Sequence, residues 1–312
     1  MELKKPLCYN CQINRLREFH QLEIDDRENA IKILEAVNYY RLMGYGVGLK
    51  DKDDQEIFER GISIEHIFKL YCFDSQLKNN LIKTLEQIEI KLRSQIAYHL
   101  AIKYGAKSLM DKTLFNDTVD KHGESIYLSI VNSVNKEINR QKDLPFVTHH
   151  KRKYGGKFPI WVSIELMSFG KLSSLYSIMK SDDKKAIANL YGTDPIHLGN
   201  WIHCLVEVRN ICAHYTRLYN MPLKQTPKLY PENNMYKRTQ NKLFPVILVI
   251  KRMLNANSQW LSLLKDIKVT FKKYSGYYRL SYMGFPDDWK DVLSDDLKRK
   301  DLSTSLWACT FL

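Results

Sequence analysis

Long hydrophobic runs are missing from this sequence. The longest apolar stretch extends from Phe244 to Ile250 and contains Pro245, whereas a membrane-spanning helix needs about 20 apolar residues. The first ten residues, MELKKPLCYN, also lack the apolar core of a secretory signal peptide. We therefore expect no membrane span and a cytoplasmic location.

Metal-binding patterns are equally scarce. The chain has six cysteines, and Cys8 and Cys11 have the spacing of zinc ligands, but no second cysteine or histidine pair completes a set of four. Cys204 and Cys212 fall inside a helical pattern, which fits buried free thiols in a reducing compartment. The glycines from Gly44 to Gly48 follow no strand and precede no Lys-Ser/Thr pair, so they are not a phosphate-binding loop. We expect neither a metal nor a cofactor.

Acidic residues are outnumbered by basic ones. The 35 Asp and Glu face 48 Lys and Arg, which gives a formal net charge of +13, and the isoelectric point is near 9.3. This balance favours a polyanionic partner, either nucleic acid or an anionic membrane surface, although a basic soluble protein without such a partner has the same balance. The chain has 312 residues and 44% of them are hydrophobic, which is enough for a sizeable core.

Strand signals are weak throughout, and no internal repeat is present, so the sequence predicts an all-α fold. We expect residues 1–60 to form an N-terminal helical segment packed on the core, residues 61–275 to form the helical core, and residues 276–312 to form a C-terminal tail. The clearest helix covers residues 64–103, because its apolar positions repeat at steps of three and four. Further helices are predicted over residues 10–24, 26–42, 124–140, 160–169, 172–179, 182–190, 195–216, 243–255 and 257–273.

Basic residues concentrate in residues 140–157, where Pro145, Gly155 and Gly156 predict a loop. Aromatic and histidine side chains are interleaved with the cations, a composition that suits a nucleic-acid backbone and its bases. A solvated basic loop without a ligand has the same composition. If the loop binds RNA, the contacts are expected from its most basic part: Lys151, Arg152, Lys153 and Lys157.

The helix predicted over residues 195–216 has an unusual polar face. Thr193 or Asp194 can cap its first turn, and Pro195 suits the first helical position. One face is apolar, and a second row at the same steps of three and four contains His203, Glu207, Asn210 and His214. Arg209 lies next to this row, with four residues between it and the last histidine.

Histidine and arginine supply what a metal-free ribonuclease needs. The 2′-hydroxyl of RNA is the nucleophile, and histidine is suited to take its proton or to give one to the leaving 5′-oxygen. Arg209 would balance the extra negative charge on the phosphoryl oxygens in the transition state. Asn210 would orient the imidazole or bind a phosphate oxygen. The alternative is a buried polar network that fixes the register of the helix.

The spacing of this motif favours a second copy. On a straight helix, residues five apart lie about 140° apart around the axis and about 7.5 Å apart along it, so Arg209 must reach around the helix to meet His214. Arg93 and His99 form a second Arg–His pair on the first long helix, and Glu89 faces Arg93 from four residues before it. That pair, or another subunit, would complete the site. Alternatively, Glu89–Arg93 is an ordinary helix pair and His99 is a core histidine.

Several stretches together resemble one family. Arg-Asn-Ile-Cys-Ala-His at 209–214, followed by Tyr-Thr-Arg-Leu-Tyr-Asn at 215–220, resembles the signature of the Abi-like abortive infection proteins (the AbiD/AbiF group), which belong to the HEPN superfamily of helical nucleases. Other matching stretches follow the order of the family and span nearly the whole chain: Asn-Tyr-Tyr-Arg-Leu at 38–42, Ile-Glu at 88–89, Ile-Ala-Tyr-His at 96–99, Pro-Ile-Trp at 159–161, Ser-Phe-Gly at 168–170 and Met-Gly-Phe-Pro at 283–286.

The resemblance implies a HEPN-type helical bundle core with additional N- and C-terminal helices. It also implies an endoribonuclease toxin of phage defence that needs no metal and leaves a 2′,3′-cyclic phosphate. Arg209, Asn210 and His214 match the catalytic motif, and Arg93 and His99 fit the same spacing. Supporting roles fall to neighbouring polar residues, namely Glu89, His203, Glu207 and Arg217. The expected partners are an RNA substrate, a second copy of the chain in a homodimer and a small structured antitoxin RNA, with no membrane.

Two other functions stay open. A non-catalytic protein that binds or senses RNA could use the same fold, and it would bind RNA without cleaving it. A HEPN partner of a nucleotidyltransferase is the third possibility, with Tyr215 in the neighbourhood where such partners are modified, although the tyrosine spacing of that class is not present.

Overall fold

The all-α prediction is confirmed. The computed structural model describes residues 3, 5–255 and 258–294. In this part of the chain every regular element is a helix, and the backbone makes isolated bridges but no β-strand. None of the described helices is long and apolar enough to cross a membrane.

The helices follow the chain in this order: α1 (Tyr9–Glu18), α2 (Arg27–Ala36), α3 (Tyr39–Tyr45), α4 (Ile64–Tyr104), α5 (Ile126–Arg140), α6 (Pro145–Tyr154), α7 (Ile160–Ser163), α8 (Phe169–Ile178), α9 (Ser181–Asn189), α10 (Pro195–Ala213), α11 (Leu243–Leu254) and α12 (Ser258–Lys273). Short 3₁₀ helices lie at Ser108–Met110, Lys112–Leu114, Ile164–Leu166, Pro231–Thr239 and Leu280–Met283.

Side-chain caps start several of these helices where the sequence predicts them. The carboxylate of Asp26 accepts the backbone N–H of Asn29 at 3.0 Å and begins α2. The Ser63 hydroxyl accepts the N–H of His66 at 3.2 Å and begins α4. Each cap satisfies one of the N–H groups that the first turn of a helix leaves without a partner.

Two predicted helices are broken by caps that periodicity does not reveal. The helix predicted over 26–42 stops because Val37 is extended, and the Asn38 side chain then accepts the N–H of Tyr40 at 2.8 Å to start α3. The helix predicted over 160–169 stops at Ser163, and the Ser168 hydroxyl caps α8. Local side-chain hydrogen bonds therefore divide segments whose apolar pattern is continuous.

The prediction of a loop over residues 140–157 is wrong for its central part, which forms α6. Pro145 occupies the first turn, where its missing N–H costs nothing. Gly155 ends the helix in the left-handed conformation, with φ 57°. The residues that suggested a loop are thus the start and stop signals of a helix.

The helix predicted from the apolar pattern of residues 64–103 is confirmed as α4. It is continuous over 41 residues, and the stripe of residues at steps of three and four is at most 2% exposed, namely Leu77, Leu81, Leu85, Ile88, Leu92 and Ile96. Burial of such side chains stabilises a fold by about 2 kcal/mol each, so this stripe anchors the helix along its length.

The chain divides into two compact units. The first contains residues 1–81, 211–222 and 261–312, and the second contains residues 82–210 and 223–260. The domain boundaries that the sequence suggests after residues 60 and 275 stay predictions.

Aromatic packing forms the core of the first unit. The ring of Phe73 on α4 stacks on Tyr278 at 4.4 Å between centroids and contacts Phe271 on α12 at 5.4 Å. Phe271 also contacts Phe285 and Trp289, at 5.1 and 4.9 Å. Residues 278–289 therefore pack on α4 and α12 through aromatic side chains, and such pairs add about 1 kcal/mol each beyond the area that they bury.

A fully buried carboxylate lies beside this core. Asp74 accepts the hydroxyl of Tyr45 at 2.6 Å, the ammonium of Lys78 at 3.0 Å and the backbone N–H groups of Leu218 and Tyr219, the latter at 2.7 Å. Burial and the adjacent carboxylate raise the pKa of Tyr45 far above its ordinary value. Asp74 thereby fixes the chain just after α10 to α4 within the first unit.

The second unit has a conventional apolar core. Helix α5 packs against α8, and α11 is buried on nearly all sides, from Leu243 to Ile250 and again at Met253 and Leu254. A helix that is apolar all round belongs inside a fold. Pro245 sits in the first turn of α11, where it breaks no intrahelical hydrogen bond.

We predict that Asp74→Ala lowers the free energy of unfolding by about 3–5 kcal/mol, because it leaves the Lys78 ammonium buried without its counter-ion. Urea unfolding followed by circular dichroism measures this loss. Asp25→Ala is the matched control, since Asp25 is exposed, and its effect should stay within about 0.5 kcal/mol. Equal effects of the two substitutions would contradict a structural role for the Asp74 network.

Candidate functional site

Helix α10 ends three residues earlier than predicted, and His214 is its C-cap. The N–H of Thr216 bonds to the carbonyl of Ile211 at 3.0 Å, and the N–H of Tyr215 bonds to that of Cys212 at 3.3 Å. These two bonds are the pattern of a Schellman motif. Tyr215 has φ 56°, in the left-handed region where glycine is usual, and a non-glycine residue there costs about 1 kcal/mol.

The strained end of α10 is held by cations of the first unit. Arg41 on α3 donates to the carbonyl of Tyr215 at 2.7 Å, and Lys78 on α4 donates to that of Thr216 at 3.0 Å. Arg217 donates to the carbonyl of Gly44, and burial lowers the pKa of its guanidinium. The conformation just after the predicted catalytic histidine is therefore fixed by several donors.

His214 itself is exposed. Among the hydrogen bonds and ring contacts of residues 3, 5–255 and 258–294, none involves its imidazole. An imidazole with both nitrogens unengaged is able to take or give a proton. His203 is also exposed, on the same helix, and provides a natural comparison.

In the second unit, the carboxylate of Glu89 accepts hydrogen bonds from the Arg209 guanidinium. Arg209 Nε donates to Glu89 Oε2 at 3.1 Å, and Nη2 donates to Oε1 at 3.2 Å and to Oε2 at 3.0 Å. Two parallel donors on one carboxylate fix the orientation of an arginine as well as its position. The ring of Phe169 lies under the guanidinium at 5.9 Å. Arg209 is therefore pre-oriented, and 26% of its side chain remains exposed.

Glu89 also forms a salt bridge with Arg93. Arg93 donates to Glu89 Oε1 and to the carbonyl of Ile164, and it is 7% exposed. One carboxylate thus faces two guanidinium groups, which leaves a local excess of one positive charge on partly exposed Arg209. Such a site favours an anion. Arg209 Nη1 also donates to Asn210 Oδ1 at 3.1 Å, so the amide nitrogen of Asn210 remains for another acceptor.

Arg93 and Arg209 share the carboxylate of Glu89, whereas His99 has a different partner. His99 Nε2 lies 2.8 Å from Asp183 Oδ1, and the same carboxylate accepts Lys103 at 2.6 Å and the Tyr104 hydroxyl at 2.8 Å. Burial alone would raise the pKa of Asp183, but the hydrogen bonds from Lys103, His99 and Tyr104 outweigh it and lower the pKa. His99 is thus engaged in a polar cluster within the second unit.

Glu207, predicted to support the site, holds a loop instead. Its two carboxylate oxygens accept the N–H of Lys224 at 2.8 Å and that of Gln225 at 2.7 Å. This contact ties α10 to the segment that follows it in the second unit. Its acidic oxygens are therefore occupied by backbone amides.

Helix α6 presents the predicted RNA-binding cations. The four are exposed, three of them in its last turn and one just beyond it: Lys151, Arg152, Lys153 and Lys157. Salt bridges in the described part of the chain involve none of them. His150 stacks on Phe158 at 5.3 Å between ring centroids, which fastens the helix. Lys153 Nζ lies over the Tyr154 ring at 5.5 Å from its centroid, and all four cations are exposed to an approaching phosphate.

Sequence reasoning missed Asp74 and Lys78 as residues that shape this region. One signal was available: the two charges are four residues apart on α4, among the apolar positions Phe73 and Leu77 that turn inward. Charged residues within an apolar stripe are buried only when they are paired.

The comparison with family models decides the family. The model described as Abi-like protein matches residues 32–220, which are 189 of the 312 residues. The chain belongs to the Abi-like protein family. Within this Abi-like region lie all the residues of the predicted catalytic set. The searches of curated proteins and of solved structures found no match.

We predict that Asp183→Asn lowers the free energy of unfolding at pH 7 by about 2 kcal/mol, since hydrogen bonds to a charged acceptor are lost. Because the folded-state pKa of Asp183 lies below its usual value, the ionised form stabilises the fold above about pH 4 and loses this effect as the pH falls through the folded pKa. Urea unfolding at several pH values should show the difference between wild type and variant shrinking below about pH 4. A difference that does not change with pH would contradict this assignment.

Proposed function

We propose that the chain is a metal-independent endoribonuclease of the HEPN type that acts as a toxin in abortive infection. One observation carries the proposal: the Arg-x4-His stretch contains an oriented arginine bearing excess positive charge, Arg209, and an exposed histidine, His214, whose imidazole has no partner among the described residues. Membership of the Abi-like family supports a role in phage defence.

In the proposed reaction the RNA supplies its own nucleophile. An imidazole of His214 takes the proton of the 2′-hydroxyl or gives one to the leaving 5′-oxygen, and the guanidinium of Arg209 stabilises the charge that builds up on the phosphoryl oxygens. The Asn210 amide donates to a phosphate oxygen. The 2′-oxygen–phosphorus bond forms as the 5′-oxygen–phosphorus bond breaks, which leaves a 2′,3′-cyclic phosphate.

Glu89 and Arg93 act as positioning residues in this proposal. Their contacts fix the Arg209 guanidinium before substrate arrives, and a pre-oriented charge needs no reorganisation in the transition state. Arg93 is too buried to reach a phosphate itself, since it is 7% exposed. His99, engaged by Asp183, is assigned to the support of the fold rather than to proton transfer.

Two partners belong to the proposal besides the RNA substrate. A second copy of the chain would supply another His214, so that one histidine acts as base and the other as acid. A small structured RNA would hold the toxin in check, and the exposed cations of α6 suit such a polyanion.

A non-catalytic RNA-binding or RNA-sensing protein is the second candidate function, and the exposed cations of α6 favour it as much as they favour an enzyme. The two functions differ in one measurable respect. An RNA-binding protein retains RNA without cleaving it, and its affinity is indifferent to His214→Ala.

We predict that His214→Ala and Arg209→Ala each lower the rate of RNA cleavage in the presence of EDTA by at least about 100-fold, because each removes a group that acts on the transition state. Gel analysis of a labelled RNA measures the rate. A new 3′ end that phosphatase cannot dephosphorylate until acid opens the ring identifies the cyclic phosphate. The same RNA with a 2′-deoxy nucleotide at the cut position should not be cleaved there.

The proposal assigns His203 no part in the reaction, although the sequence suggested a supporting role. His203→Ala is therefore the matched control for this experiment, because it removes an exposed histidine from the same helix. It should cleave at the wild-type rate. If wild type does not cleave RNA, or if the His214→Ala protein cleaves as fast as wild type, the proposed ribonuclease is wrong. Binding of RNA by a wild-type protein that does not cleave it would establish the second candidate function.

We further predict that replacing Lys151, Arg152 and Lys153 together by alanine weakens RNA binding and flattens its salt dependence. Each lost phosphate contact reduces the slope of log K against log salt by about 0.7 for single-stranded RNA, so the triple variant should lose about 2. Filter binding between 50 and 300 mM salt measures the slope. An equal loss in a control with three exposed lysines of the first unit replaced by alanine (Lys32, Lys52 and Lys69) would show that α6 has no special role.

A further inference from the structure

Two exposed thiols meet at the start of α1. Cys8 is the N-cap of this helix, and Cys11 lies in its first turn. Their Sγ atoms are 2.8 Å apart, and the N–H of Cys11 donates to Cys8 Sγ at 3.3 Å. Both are free cysteines. The sulfurs need to approach by less than about 1 Å to reach the bond length of a disulfide.

The surroundings make Cys8 the more reactive of the two thiols. The contact with the Cys11 thiol and the hydrogen bond from the Cys11 backbone N–H lower the pKa of Cys8, and the contact with the Cys8 thiol raises the pKa of Cys11. Thiolates at helix N-termini are favoured because the helix dipole is positive there. By contrast, burial raises the pKa of Cys204 and of Cys212 to about 12, so these thiols stay protonated.

A zinc site does not explain the pair. Structural zinc takes four ligands, and the described part of the chain contains no group of three or more cysteine, histidine, aspartate or glutamate side chains placed to share a metal. A Cys-x-x-Cys pair with one activated thiol at a helix N-terminus is instead the arrangement that exchanges disulfides.

The space around Cys8 allows a second molecule to approach. An open cleft of about 530 Å³ is lined by Cys8 together with Leu7, Tyr9, Leu34, Asn38 and Tyr39. Its apolar and polar walls are formed entirely within the first unit. A small disulfide therefore has both access to the Cys8 sulfur and room for the half that leaves.

We propose that Cys8 and Cys11 form a redox-active dithiol that exchanges with low-molecular-weight disulfides. The Cys8 thiolate attacks one sulfur of the small disulfide, the S–S bond breaks, and the first small thiolate leaves and takes up a proton. Cys11 then loses its proton and attacks Cys8 Sγ, and the second small thiol leaves. The dithiol is oxidised to the Cys8–Cys11 disulfide, and one small disulfide is reduced to two thiols.

The full-length protein equilibrated with mixtures of reduced and oxidised glutathione tests this site. After acid quenching and alkylation, peptide mass spectrometry should show a Cys8–Cys11 disulfide that increases with the oxidised fraction and disappears when the ratio is reversed. No Cys8–Cys11 disulfide at any ratio, or bonds to other cysteines only, would overturn the proposal. The readout is independent of RNA cleavage, so it stands or fails apart from the proposed ribonuclease.

Single substitutions distinguish the attacking thiol, Cys8, from the thiol that resolves the mixed disulfide, Cys11. Cys11→Ser should stop the reaction at a mixed disulfide of Cys8 with glutathione, because no second thiol resolves it, whereas Cys8→Ser should form at least about tenfold less mixed disulfide at Cys11. Cys72→Ser is the control and should oxidise like wild type, since burial raises the pKa of Cys72. Equal mixed disulfide in the two variants would remove the assignment of Cys8 as the attacking thiol.

Discussion

Helix α4 carries two buried carboxylates, and the chain around the Arg–His motif is fixed to them. In the first unit Asp74 accepts the backbone amides of Leu218 and Tyr219, which follow His214. In the second unit Glu89 accepts the guanidinium of Arg209. A buried carboxylate that loses its partners costs several kcal/mol, so the sequence before and after the motif has little conformational freedom left.

The Asp74 and Glu89 networks differ in their charge balance, and this difference indicates which of them could bind a ligand. Asp74 is neutralised by one ammonium, and both side chains are almost fully buried. Glu89 faces two guanidinium groups, of which Arg209 reaches the surface. The Asp74 network is neutral and buried, so it stabilises a conformation but presents no free charge to a ligand. A network with one positive charge in excess and one exposed member suits an anion, and the phosphodiester of the proposed RNA substrate is such an anion.

The periodicity of apolar residues predicted the helices that depend on burial. It failed to predict helix ends that are set by single hydrogen bonds. The stripe of α4 was visible because apolar residues recur over its whole length. The breaks at Asn38 and Ser168 were not, since one side-chain oxygen ends an otherwise continuous pattern. The end of α10 was hidden for a related reason: Tyr215 takes the left-handed position that glycine normally marks. Besides the local bonds of the turn, donors distant in sequence, such as Arg41, hold that conformation.

The site residues show the same division between local and distant information. The Glu89–Arg93 pair was readable from its spacing, but its contact with Arg209 joins residues 120 positions apart. The partner of His99 likewise lies on α9, and no spacing rule connects His99 with Asp183. A sequence pattern identifies which side chains are chemically able to act. The hydrogen bonds then show which of them are already occupied.

The hydrogen bonds also bear on the angle of about 140° that a straight helix would place between Arg209 and His214. Helix α10 ends at Ala213, and His214 is its cap rather than a residue of its last turn. Arg209 is turned towards Glu89 and is held there by three hydrogen bonds. His99, the other histidine of an Arg–His pair, shares Asp183 with two further donors. In the proposed ribonuclease, His214 of a second copy would then supply the second proton-transfer group, while Glu89 holds the Arg209 guanidinium in place.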